Sequence, residues 1–403
     1  MQDMAFMDSG FSVITMPHPV MPNGRRLATA RWAVRAQFAA LGLTSGAWGA
    51  HMPALKARYG VDERGLALLL LAVAAGALLS LLFAGRMVGW LGVRPAVRLA
   101  AVVMAGGLAM VLHWPGGVLL LPALVLFGAA MSLLDVAINA EGTVLESLGG
   151  RPVMSGLHGM FSLGGMAGAA LVAGLFRLDW APGVQLPAVA VLVVGLALAA
   201  APGLLDAHPP EVAEPGGGRA RFVWPRGLLL VIGLLIFAGM TAEGVMYDWS
   251  VLYLKDGLGL AQDRAALGYA TFSAAMAAAR FGGDALRARH AEAALLRVSA
   301  GLAAVAMAVV LGAEHPAVAL LGYALVGAGL APVVPILYNA ATRVPGVSRA
   351  AAIAAVSSIG YTGFLIGPPL VGLIAHAASL RVAMGVIVVA AGMLAWQARR
   401  VPD

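Results

Sequence analysis

The stretch Gly128-Ala-Ala-Met-Ser-Leu-Leu-Asp135-Val-Ala-Ile-Asn139-Ala140 returns in outline as Gly327-Ala-Gly-Leu-Ala-Pro-Val-Val-Pro-Ile-Leu-Tyr-Asn339-Ala340. Gly46, Gly85, Arg151, Gly165 and Gly174 likewise reappear as Gly244, Gly283, Arg349, Gly363 and Gly372. A repeat of about half the chain describes a duplicated bundle, not a solenoid of short units. The segments carrying these landmarks are long and apolar, six in each half. Two six-helix halves in one membrane chain describe a carrier whose substrate passes between them.

Composition agrees. Of 403 residues, 61% are hydrophobic and 11% charged, against roughly 45–50% and 25% in soluble domains. So few charges cannot cover a soluble surface of this size. The 52 glycines suit helices that pack backbone to backbone in a bilayer. With no cysteine, disulfides, thiolate metal sites and cysteine nucleophiles are excluded. The net charge of +7 reads as basic loops of a membrane protein, not as a nucleic-acid surface.

Spans of about 20 residues, enough to cross the hydrocarbon, fall near 30–54, 65–84, 95–112, 117–146, 152–176 and 184–202. The second half gives 226–254, 264–285, 292–312, 316–341, 349–375 and 379–397. The expected fold is all-α and polytopic, twelve transmembrane helices in two pseudo-symmetric bundles over 30–202 and 226–403. Residues 1–29 read as a disordered tail without signal-peptide regions. Residues 203–225, with Pro209-Pro210 and Gly216-Gly217-Gly218, read as a flexible linker. Of the 26 Lys and Arg, 18 lie in the tail and the loops on its side, 7 in the opposite loops, and Arg280 within a span. The bias puts both termini in the cytoplasm, and the expected location is a bacterial cytoplasmic membrane.

The loop Gly85-Arg86-Met-Val-Gly89-Trp-Leu-Gly92-Val-Arg94-Pro-Ala-Val-Arg98 resembles the cytoplasmic loop signature of the major facilitator superfamily, with Gly89 where the family has an acid. Its repeat, Gly282-Gly283-Asp284-Ala-Leu-Arg287, keeps the acid. The resemblance implies a gate latch at Gly85, Arg86 and Asp284, with Arg280 nearby as a latch or an internal ion pair. Within the superfamily, Asp135-Val-Ala-Ile-Asn139, His158-Gly-Met-Phe161-Ser162-Leu-Gly164 and Glu243-Gly-Val-Met-Tyr247-Asp248-Trp249 are similar to motifs of the fucose-permease group and its YbjJ-like relatives. The first-span acid of fucose permeases has no counterpart between Phe38 and Met52, so a fucose substrate does not carry over.

A charge inside a bilayer costs several kcal/mol, so intramembrane ionisable residues are functional candidates. Asp135 shares a helix face with Asn139, and the resemblance makes it the coupling acid. Glu243 is a second proton carrier or a hydrogen-bond acceptor, with pairing to Arg280 as the packing alternative; Tyr247 shares its face. His158 is a third proton-coupling candidate, expected to titrate in the physiological range or to hydrogen-bond the solute, with an interhelical hydrogen bond as the packing alternative. Asn139, Gln37, Trp48, Tyr247, Asn339 and Tyr361 are candidate contacts for a polar solute. Glu141 and Glu146 read as a solvated helix end, Trp249 as an interfacial belt residue and His51 as facing the vestibule or interface. Pro368-Pro369 reads as a kink.

The functional reading is a secondary transporter for a small polar solute, proton-coupled with sodium left open, working as a monomer in the lipid bilayer by alternating access. Efflux of amphipathic compounds and a non-transporting ligand sensor are the alternatives. No nucleophile–base pair, metal-ligand spacing or phosphate loop is present, so the expectation is no enzyme, no metal and no cofactor.

Overall fold

The computed structural model describes residues 23–116, 119–150, 152–205 and 224–402, apart from the side chains of Asp284 and Ala350. Among these residues every regular element is helical. The first half contains α1 (Gly24–Ala50), α2 (Met52–Tyr59), α3 (Glu63–Leu91), α4 (Val93–Met110), α5 (Leu120–Gly149), α6 (Met154–Arg177) and α7 (Pro182–Ala200). The second contains α8 (Gly227–Leu252), α9 (Gln262–Arg287), α10 (Glu292–Ala313), α11 (Pro316–Leu330), α12 (Val333–Thr342), α13 (Arg349–Ala377) and α14 (Leu380–Gln397).

Two spans are broken. The first bends at His51 and continues as α2, which ends at Gly60 with φ +59, a conformation glycine adopts without steric cost. The tenth is split into α11 and α12 at Pro332, which has no N–H to extend the helical ladder. Pro368 and Pro369, by contrast, both sit inside a continuous α13. The first helix also starts earlier than hydropathy indicates. Asn23 caps it by accepting the Arg26 N–H at 2.8 Å, so a basic, polar turn is helical before the chain reaches apolar sequence.

Among the described residues, ten segments are long and apolar enough to cross a membrane by length and composition; α1 and α9 are not among them. Both pack along α6, so each has one face covered by a helix and need not be apolar all round. The lipid-facing perimeter is made of large apolar side chains such as Leu82, Phe83, Val191 and Val305.

The duplication is visible in the packing. α1 packs on α6 as α8 packs on α13, and α4 on α5 as α10 on α11. Small residues permit this. A Cβ on Gly46 would run into the Gly165 carbonyl, and one on Gly128 into the Val73 carbonyl, while its repeat Gly327 meets the Phe272 carbonyl. The halves join through α6 on α9 and α3 on α13, with α1 touching α8 and α9.

Arg26 donates to the Gly203 carbonyl at 3.0 Å and also to that of Leu204. The start of α1 and the end of the first half therefore share one face, here the terminal face. Arg343 donates to the Pro402 carbonyl at 3.2 Å, placing the chain end on the same side. Residues 201–205, partly inside the stretch read as flexible linker, are held by these bonds and by Arg94 to Pro202 and Leu204. Residues 1–22 and 206–223 lie outside the described residues.

Candidate functional site

Three intramembrane acids stand where the halves meet, and each is tied across that boundary directly or through one neighbour. Asp135, midway along α5, accepts Asn139 Nδ2–H at 2.9 Å and the Tyr361 hydroxyl of α13 at 3.5 Å. Glu243 on α8 accepts Arg280 Nη2–H at 3.0 Å and the Tyr247 hydroxyl at 2.8 Å. Arg280 then reaches the first half, donating to Ser162 Oγ at 2.7 Å and the His158 carbonyl at 3.4 Å. Asp248 accepts the Trp48 indole N–H from α1 at 3.2 Å.

Asp135 continues into a polar stripe. Asp135, Asn139, Thr143 and Ser147 recur every fourth residue and so share one face of α5. The first two are half-buried and the last two exposed, toward the terminal face. Opposite Asp135 stand Tyr361, Tyr338 and Ser357; Ser357 donates to the Tyr338 oxygen at 3.1 Å. Above lies an aromatic cluster from both halves: Tyr247 stacks on Tyr269 at 5.2 Å and meets the edges of Phe161, Phe272 and Phe364.

The opposite, far face is closed by polar contacts between the halves. Lys56 bridges Glu63 and Asp256, both at 2.8 Å. Asp62 meets His376 at 3.0 Å, and Gln262 donates to the Ala50 carbonyl at 2.8 Å. Burial alone would lower the Lys56 ammonium, but its two carboxylate partners win and hold it above the usual lysine range. The Gly65 N–H, with His376 adding to it, holds the Asp62 carboxyl below the usual aspartate range.

The twelve-span duplicated fold with a polar, acid-bearing seam is matched by the family model of the Major Facilitator Superfamily over residues 37–348. The chain belongs to the major facilitator superfamily. It is 35% identical over 369 residues to an uncharacterized MFS-type transporter of Yersinia pestis, covering 92% of this chain and 95% of that one. The membrane protein MosC of Rhizobium meliloti is 33% identical over 368 residues, covering 90% and 89%. Among solved structures, a D-xylose-proton symporter superposes with a TM-score of 0.73 at 12% identity, over 94% of this chain and 98% of that one. The fucose:proton symporter FucP of E. coli gives 0.63 at 16%, over 94% and 100%. These likenesses establish a multi-pass facilitator-superfamily transporter; at such identities the solved structures speak to fold alone.

Several expected contacts are relocated. Gln37 is fully buried and donates to the Ala197 carbonyl of α7 at 2.8 Å, away from the seam. Asn339 binds Glu292 at 2.9 and 3.0 Å on the terminal face, beside Arg287 and Arg343. Its repeat position, Asn139, does stand at the seam. Glu141 is no solvated helix end: it is fully buried and accepts the Leu205 N–H at 2.7 Å. Glu146 accepts the N–H groups of Val153 and Met154, linking α5 to α6. Trp249 is no belt residue, being fully buried and donating to the Pro368 carbonyl at 2.9 Å. His51 is buried against Phe176 with Nδ1 2.8 Å from the Ala47 carbonyl. The His158 ring packs edge-on to Phe38 at 5.4 Å; its carbonyl, not its imidazole, meets Arg280.

Gly85 and Arg86 are exposed, and a Cβ on Gly85 would meet nothing within 4 Å, so Gly85 makes no close helix contact in this state. The side chain of Asp284 lies outside the described residues. Sequence reasoning gave no role to Ser162, which it quoted only within a motif, and missed Tyr269 and the Thr143–Ser147 continuation. The last was legible as a four-residue period; the others depend on which helix faces which. Among the described residues, no group of three or more potential metal ligands occurs.

Proposed function

We propose that the chain moves a small polar solute across the bacterial cytoplasmic membrane by proton-coupled alternating access. The halves at 30–202 and 226–403 act as the two rocking bodies, with both termini in the cytoplasm in accord with the Lys and Arg bias. The observation that carries the reading is Asp135. It stands at the closed end of a polar stripe that reaches the terminal face, with hydrogen-bond donors around it and no basic side chain paired to it among the described residues. A carboxylate inside the bilayer without a counter-charge is costly, and a proton is the smallest cation that relieves the cost.

Glu243 enters the cycle through Arg280. Protonating Glu243 removes the charge that holds Arg280, whose remaining bonds reach Ser162 and the His158 carbonyl in the first half. Asn139, Tyr361 and Tyr247, with Trp48 above, offer the solute hydrogen bonds and aromatic faces. The proton symporters of similar fold support this reading by analogy.

In proteoliposomes, Asp135→Asn is expected to abolish solute accumulation driven by a proton gradient while leaving downhill exchange and solute binding. Full uphill transport by that variant would remove Asp135 from the coupling. A thermal-shift screen against sugars, vitamins, amino acids and organic acids supplies the solute, since a ligand that prefers the folded state raises Tm.

A further inference from the structure

We infer that Asp248 is a second proton site, placed in the far-face gate, and that the gate shuts when its carboxyl is protonated. The inference rests on the alternating-access reading but not on Asp135. Asp248 lies on α8, five residues before the far-face turn at Tyr253–Gly257 begins. It is half-buried, and the groups facing it are the Trp48 indole from α1 and the Tyr269 phenol from α9. Among the described residues no basic side chain is paired with it.

Trp48 is buried and packs on Phe127 of α5 at 5.0 Å. The bond from Trp48 to Asp248 therefore ties α1 and α5 of one half to α8 of the other, beneath the Lys56 and Gln262 contacts that seal the far face.

The direction follows from comparing two opposed effects. Shutting the gate strips water from Asp248 and returns one indole N–H. For a carboxylate, the lost hydration outweighs a single hydrogen bond. A neutral carboxyl loses far less and still offers its carbonyl oxygen to Trp48. The shut face thus favours the neutral acid, and the open, watered face favours the carboxylate. A proton arriving from the far side becomes a condition for closing over the cargo. Two other ties between titratable side chains cross this face among the described residues, Lys56–Asp256 and Asp62–His376, so the Asp248→Asn variant is needed to separate the effect of Asp248 from theirs.

The chain has no cysteine, so spin labels on Leu178→Cys and Ala313→Cys, one on each half at the far face, are the sole thiols. Double electron–electron resonance on the labelled full chain, without solute, reads the open population from pH 5 to 9. In the otherwise unaltered protein the open population is expected to rise with pH. Asp248→Asn keeps an acceptor for Trp48 but cannot ionise, and is expected to hold the face shut at every pH. A pH response that survives Asp248→Asn overturns the inference, as does a flat response in the parent.

Should Asp248→Asn fail to fold, Trp48→Phe carries the test. It keeps the packing on Phe127, removes the donor, and is expected to raise the open population about fivefold at low pH, the worth of one hydrogen bond; no change overturns the inference. Because no flux is measured, a failure here is distinct from loss of coupling in Asp135→Asn.

Discussion

Glu243 and Arg280 pose the sharpest question at the scale of single residues. Their side chains are each 10% exposed and 3.0 Å apart. Removing one partner of a buried pair leaves the other charge uncompensated, at a cost of about 3–5 kcal/mol. Arg280→Leu and Glu243→Gln should each lower Tm markedly, and the two together should cost less than their sum. Thermal unfolding of the four proteins in detergent measures that coupling, and strict additivity would contradict a direct pair. The sequence made Glu243 and Tyr247 neighbours because a helix aligns residues four apart. It weighed Arg280 as a partner without fixing it, since α8 and α9 are joined by a turn whose geometry no local pattern encodes. Asn339 and Glu292 show the same limit. Their pairing depends on the relative rotation of α10 and α12, which is set by packing across the whole bundle.

At the scale of helices, glycine carried most of what could be read. The matched positions Gly46 and Gly244, and Gly165 and Gly363, lie on helices that pack in matched pairs, because only a missing Cβ lets two backbones approach so closely. Gly46→Ala would drive a methyl into the Gly165 carbonyl. Overpacking of this kind costs about 1–3 kcal/mol, so Tm and transport should both fall. Gly174→Ala, where nothing lies within 4 Å, is the control and should leave both unchanged. Equal loss in the two variants would mean that the close approach at Gly46 does not set the effect, since helix propensity alone favours alanine at both positions. Hydropathy read the spans well but missed the breaks at His51 and Pro332 and the early start at Asn23. Breaks inside an apolar run leave its mean hydropathy untouched, and a capped basic turn lowers the mean while remaining helical.

At the scale of the whole molecule, the far face is sealed and the polar stripe of α5 leads to the terminal face, so on the proposed alternating-access reading the structure is one end of the cycle. No sequence pattern says which end is the more stable, because the difference is a balance of weak contacts between halves. The Lys56 bridges are part of that balance. Lys56 is held above its ordinary range, so its contribution is fully present below about pH 10 and lost only as pH rises through the raised value. Asp62 is held below its ordinary range, so its contribution is present above about pH 4 and lost as pH falls through the depressed value. Neither group changes charge between pH 5 and 9. Lys56→Met should therefore raise the open population of the far face by the same factor at every pH in that interval. For a partly exposed ion pair worth about 1 kcal/mol at most, that factor is up to about fivefold. The same spin-label distances measure it, and a factor that varied with pH would mean that the Lys56 bridges are coupled to a group titrating in that interval, so that seal and switch are one device instead of two.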